Sequence, residues 1–196
     1  MSWTCRGGRA MRSARGFSAC GDAVYAWTGP SAALFVVVDA LGHGPDAAAS
    51  AAIAARVLDG SRERPLAEIF RDCDRALAGH RAVVMSAIQL KGEGVRFAGI
   101  GNVEIWGPPD VSRPPTSAGV VGRGLRTVRT WDLPVQDGHR WVLASDGIQR
   151  RATAKALQDA RPLPAEEAAT RILELAGRHE DDVGVVVVDW TWTNPA

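Results

Sequence analysis

The run Phe35-Val36-Val37-Val38-Asp39 constrains this chain more than any other stretch. Four consecutive apolar, mostly β-branched residues without alternation suit a strand covered on both faces, as in the middle of a sandwich. That strand ends on a carboxylate. Gly42 and Gly44 then let the backbone turn, and Pro45 fits the first turn of a helix continued by Asp46-Ala47-Ala48-Ala49. Residues 42–47 also match the dinucleotide-binding pattern G-x-G-x-x-A. That reading fails on context, because a second helical pattern follows instead of a parallel strand, and Asp39 would lie close to the pyrophosphate.

The arrangement recurs further along. Trp141-Val142-Leu143-Ala144 is an apolar strand that stops on Ser145-Asp146-Gly147, with a helical pattern after it. Glu180-Asp181-Asp182 opens the buried run 183–188. Residues 17–27 read as β structure broken at Gly21-Asp22, and Gly29-Pro30 as a turn, so that a hairpin sets Asp22 beside Asp39. Taken singly, Asp22, Asp39, Asp146 and Asp181 each fit a strand end or cap. Together they predict four carboxylates at one rim, where mutual repulsion requires a cation. Oxygen donors without His or Cys favour a hard ion, magnesium or manganese, over zinc. Two such ions about 3.5–4 Å apart would share a bridging carboxylate and activate a water for attack on phosphorus.

The remaining segments frame these acids. Helical periodicity covers 45–58 and continues after 65, with Leu66, Ile69, Phe70, Cys73 and Leu77 on one face. Residues 82–90, 94–101 and 102–106 read as an antiparallel meander, 107–124 as the longest loop, and 125–133 and 140–144 as strands joined by Asp137-Gly138. Helices are expected over 152–159 and 164–179, and 190–196 extends the last strand or covers an edge. With 196 residues, 46% of them hydrophobic, the chain can bury one sizeable core, which predicts a single domain over 1–196. A net charge of +1 and no basic helix argue against nucleic acid as partner. Cys5, Cys20 and Cys73 form no C-x-x-C pair, so neither a disulfide framework nor a zinc knuckle is indicated. The arginine-containing start lacks the apolar core of a secretory signal, and no run approaches the ~20 apolar residues of a membrane span. The expectation is a cytoplasmic protein with no membrane partner.

Gly21-Asp22, Asp39-Ala40-Leu41-Gly42-His43-Gly44, Gly101-Asn102, Ser145-Asp146-Gly147 and Asp181-Asp182-Val183 fall in the order and approximate spacing of the metal-dependent type-2C (PPM) serine/threonine phosphatases. The chain resembles the compact SpoIIE-like bacterial branch of that family over most of its length. The resemblance implies an α+β fold, a four-layer α-β-β-α sandwich of two antiparallel sheets flanked by helices. It implies two manganese or magnesium ions, with a third optional. Asp39 would bridge both, Asp22 and the backbone carbonyl of Ala40 would hold the second, and Asp146 and Asp181 the first. The implied substrate is a phosphorylated protein, a STAS-domain component of a stressosome or an anti-sigma antagonist. The family usually has glycine where this chain has Ala40, and a positive φ there would cost alanine about 1 kcal/mol or more. A catalytically silent regulatory module is the alternative that Ala40 leaves open. Arg15, His43, Arg150 and Arg151 are further residues that could meet a phosphate or a proton, against the plainer reading of solvated side chains.

Overall fold

The computed structural model describes residues 2–92 and 94–193. Its elements run β1 (Ser2–Arg12), β2 (Asp22–Thr28), β3 (Ala32–Ala40), α1 (Pro45–Ser61), α2 (Leu66–Ala76), β4 (Val83–Lys91), β5 (Gly94–Ile100), β6 (Glu104–Trp106), β7 (Trp131–Asp132), β8 (Arg140–Ala144), α3 (Arg150–Ala160), α4 (Ala165–Ala176) and β9 (Val183–Thr193). Two antiparallel sheets form, one ordered β1-β9-β8-β6 and the other β2-β3-β4-β5-β7.

The period of two in each strand sorts side chains into layers. From β3, Leu34, Val36 and Val38 pack with Leu58, Ile69, Phe70 and Leu77 of the α1–α2 layer. The alternate residues Ala33, Phe35 and Val37 meet Trp141, Leu143, Val186, Val188 and Trp190 of the other sheet. On that sheet's far face, Val142, Ala144, Val185 and Val187 bury Ala156, Ala168, Ala169 and Ile172 of α3 and α4. This is the expected α-β-β-α sandwich. It explains why β3 and β9 are apolar at every position over their buried spans: each has helices on one face and a sheet on the other.

Several local readings are corrected. An unforeseen strand, β1, pairs along its whole length with β9, from Ser2↔Thr193 to Arg12↔Val183. Residues 17–20 form no strand; β2 starts at Asp22. The third strand of the supposed meander, β6, leaves its neighbour's sheet and pairs with β8, Glu104 opposite Ala144. Of 125–133 only Trp131–Asp132 is strand, beside β5. Upstream, the Asp74 carboxylate accepts hydrogen bonds from the backbone N–H groups of Gly122, Arg123, Gly124 and Leu125, taking the place of a ladder partner. The 107–124 loop is itself pinned, with Val121 and Val83 exchanging backbone hydrogen bonds at 2.8 and 3.0 Å. The last strand extends through Thr193; residues 194–196 of the tail lie outside the described residues.

Candidate metal centre

Asp22 and Asp39 stand directly opposite each other, the first residue of β2 against the penultimate residue of β3. Antiparallel partners hold their Cβ atoms about 4.5–5.5 Å apart, so two carboxylates share one spot on the sheet edge. Asp22 is 3% exposed. Its Oδ2 accepts a 2.6 Å hydrogen bond from Ser145 Oγ, which itself accepts one from the Gly184 N–H at 2.9 Å. Ser145 thus reaches from the end of β8 in one sheet to the start of β2 in the other. The neighbouring Asp146 is exposed, and its Oδ2 accepts 2.7 Å from Asn102 Nδ2.

The turn at 145–147 lies against the start of β9. A Cβ on Gly147 would stand 2.1 Å from the Asp182 carbonyl oxygen, so only glycine lets the two backbones approach this closely. Gly42, at φ 84°, is the other glycine the site requires, because its left-handed backbone carries the chain from β3 into α1.

The acidic pair at 181–182 divides its tasks. Asp182 is 6% exposed and accepts backbone hydrogen bonds from Ala14 at 2.8 Å and Gly21 at 2.7 Å. Gly21 in turn accepts from the Ala40 N–H at 3.0 Å. One carboxylate therefore ties the 13–21 loop down and, through Gly21, extends the β2–β3 ladder to Ala40. Asp181 accepts from the Asp182 N–H at 3.0 Å and is partly open to solvent.

The acids feel one another. Asp39 is pushed up to about 7, by burial first and then by the charges of Asp146, Asp181 and Asp182. Asp22 is held well above the usual carboxylate range by burial and by Asp39, against the lowering effect of the Ser145 hydrogen bond. Asp181 is raised by burial and by Asp146, with Arg178 pulling the other way. Among the described residues, no lysine or arginine forms an ion pair with Asp22, Asp39, Asp146 or Asp181.

This donor set fits a hard divalent cation: it is all oxygen, anionic, mutually repelling and without a protein counter-charge paired to it. Among the described residues no three acidic, imidazole or thiol side chains close on a single point tightly enough to enclose an ion. Water would complete the sphere, as suits magnesium, which keeps several of its waters. Ala40 ends β3 with its side chain buried and, like every described non-glycine residue, without positive φ. The strain expected of alanine at that position is absent.

The other candidates fall outside this group. His43 is exposed and lies tilted against the Phe17 ring, centroids 4.8 Å apart. Arg150 is paired with Glu104 at 2.5 Å, and Arg151 is exposed. Sequence reading missed the tasks of Ser145 and Asp182. The signal for Asp182 was its place directly before an apolar strand residue, where a carboxylate is buried and must find donors.

No protein-family model and no curated protein sequence matches the chain. Solved structures do. One, from work on the bacterial stressosome as a modular system adapted to control secondary messenger signalling, is 31% identical with a TM-score of 0.86, covering 94% of this chain and 99% of that one. RsbX in complex with magnesium gives 0.82 at 17% identity, covering 95% and 96%. The catalytic domain of the serine/threonine phosphatase PstP with two manganese ions gives 0.77 at 19%, covering 97% and 100%. Two antiparallel sheets flanked by four helices are the fold this chain shares with these phosphatase structures. The chain has the PP2C-type (PPM) phosphatase fold in its SpoIIE/RsbX-like form.

Proposed function

We propose that this protein is a manganese- or magnesium-dependent phosphoserine/phosphothreonine protein phosphatase that acts, as one domain in the cytoplasm, on a phosphorylated STAS-domain protein of a stressosome or partner-switching system. The observation that carries the reading is the pairing of Asp22 with Asp39 beside Asp146 and Asp181, with no lysine or arginine ion-paired to any of the four among the described residues. Such a group repays its repulsion only when cations are bound. The substrate class is supported by the likeness to the stressosome structure and to RsbX. No helix among the described residues is long and apolar enough to cross a membrane.

Asp22, Asp39, Asp146, Asp181 and the Ala40 carbonyl would hold two ions, Asp39 between them. When bound, the ions would supply an activated water as nucleophile and positive charge for the phosphoryl oxygens. The chain's own residues prepare that chemistry. Ser145 turns one oxygen of Asp22 inward to itself, leaving the other for a cation, and Asn102 does the same for Asp146. Asp182 fixes the backbone from Gly21 to Ala40, and so aims the Ala40 carbonyl. Near neutral pH the Asp39 carboxyl still carries a proton part of the time, and loading with metal would release it.

The test is phosphate release from a phosphorylated STAS domain with manganese present and after chelation. Metal-dependent release supports the proposal, and no release from any phosphoprotein or small phosphate ester contradicts it. The silent-module alternative rests on Ala40, which has no positive φ, and the same assay decides between it and the phosphatase reading.

A further inference from the structure

Against His179, two residues before Asp181 in the chain, lies an open cavity of about 400 Å³, lined by Arg12, Ser13, Arg15 and His179. Among the described residues no carboxylate lines it. Three hydrogen bonds build it: Arg12 Nη2 donates 2.9 Å to the Arg178 carbonyl, the Ala14 N–H 2.8 Å to Asp182 Oδ1, and the Arg15 N–H 2.7 Å to the His179 carbonyl. The segment 12–15 is thereby fixed against 178–182 while the Arg15 side chain makes no ion pair or hydrogen bond among the described residues. Asp182, the nearest buried acid, is taken up by the Ala14 and Gly21 N–H groups and offers the arginines nothing. Glu180 is exposed and follows His179 in the chain without lining the cavity.

We propose that this cavity is an anion subsite that seats an acidic group of the substrate, a carboxylate or a second phosphoryl group, a few residues from the phosphoserine being cleaved. This rests on the phosphatase reading of the acid cluster. His179 is two residues from Asp181, a separation of at most about 7 Å along the chain. An extended peptide with its phosphoserine at the acid cluster has the reach to bring a residue about two to four positions away to the cavity. Guanidinium groups bind both carboxylate and phosphoryl oxygens through paired N–H groups. The protein would then select phosphoserines in acidic sequence.

The experiment compares phosphoserine peptides carrying Glu, a second phosphoserine or Ala three residues to either side, with manganese, in the wild type, Arg15→Ala and Arg15→Glu. The wild type should favour the acidic peptides about tenfold in kcat/KM, through KM and not kcat. That ratio should fall towards one in Arg15→Ala and below one in Arg15→Glu. Preference for Glu over the second phosphoserine, or the reverse, identifies the natural anion. Turnover of all peptides with a wild-type ratio of one overturns the subsite and leaves the phosphatase reading intact. Should the wild type turn over none, fluorescence anisotropy with the unphosphorylated Glu peptide decides: binding lost in Arg15→Glu supports the subsite, and no wild-type binding overturns it.

Discussion

Ser145 Oγ donates to Asp22 Oδ2 across the gap between the two sheets, at 2.6 Å, while accepting from Gly184 on the neighbouring strand. The bond joins the ends of β8 and β2 and fixes one of the facing carboxylates. Ser145→Ala removes a hydrogen bond to a charged group and orphans the Gly184 N–H. It should cost about 2 kcal/mol in urea unfolding and about 10–100-fold in manganese affinity by calorimetry. A variant with unchanged affinity would remove Ser145 from the account.

Adjacent acids should behave in opposite ways. Asp182→Asn places an amide against two backbone N–H donors and should destabilise the metal-free protein by about 2 kcal/mol or more. Asp181→Asn relieves repulsion from Asp146 and should leave the metal-free protein as stable or more so, while weakening metal binding. Thermal melts in chelator, set beside manganese titrations of both variants, check the division. Equal destabilisation by the two would refute it.

Protonation gives a further test. Asp39 titrates near 7 in the folded chain against about 4 unfolded, so the native state binds more protons between these values and stability falls as pH rises through them. Asp22 and Asp181 shift in the same direction. In chelator the melting temperature should drop from pH 5 to pH 8, and Asp39→Asn should flatten the drop. Saturating manganese should abolish it. A chelated wild type that gains stability over that interval would contradict the electrostatic picture.

Ala40→Gly should restore nothing. The residue has no positive φ and its methyl group is buried with Val38, Ala47 and Val83. Glycine would lose that packing and add chain entropy, costing about 1 kcal/mol, without raising metal affinity. A gain in affinity would show that the Ala40 carbonyl needs freedom the structure does not give it.

The acids and their glycines were legible because each sits in a local pattern: an apolar run, a carboxylate, a residue without a side chain. Residues 2–12 were not. The sequence Arg6-Gly7-Gly8-Arg9 carries no strand periodicity, and β1 exists because β9 supplies its partner. Gly8 has a reason only in three dimensions, since a Cβ there would lie 2.0 Å from the Ala165 carbonyl oxygen at the start of α4. The departure of β6 to the other sheet was hidden for a similar reason, because a strand's sequence does not say which edge it will join. Asp74 was illegible in another way: its helix places it off the apolar face, and the four N–H groups it binds lie about fifty positions on.

The most direct measurement is hydrolysis of p-nitrophenyl phosphate across a manganese titration by the wild type, Asp39→Asn and Asp146→Asn. Turnover should require manganese in the wild type and fall at least about a hundredfold, about 2.7 kcal/mol of barrier, in both variants. Wild-type turnover that survives chelation, or persists undiminished in Asp39→Asn, would contradict the claim that these facing carboxylates hold the catalytic ions.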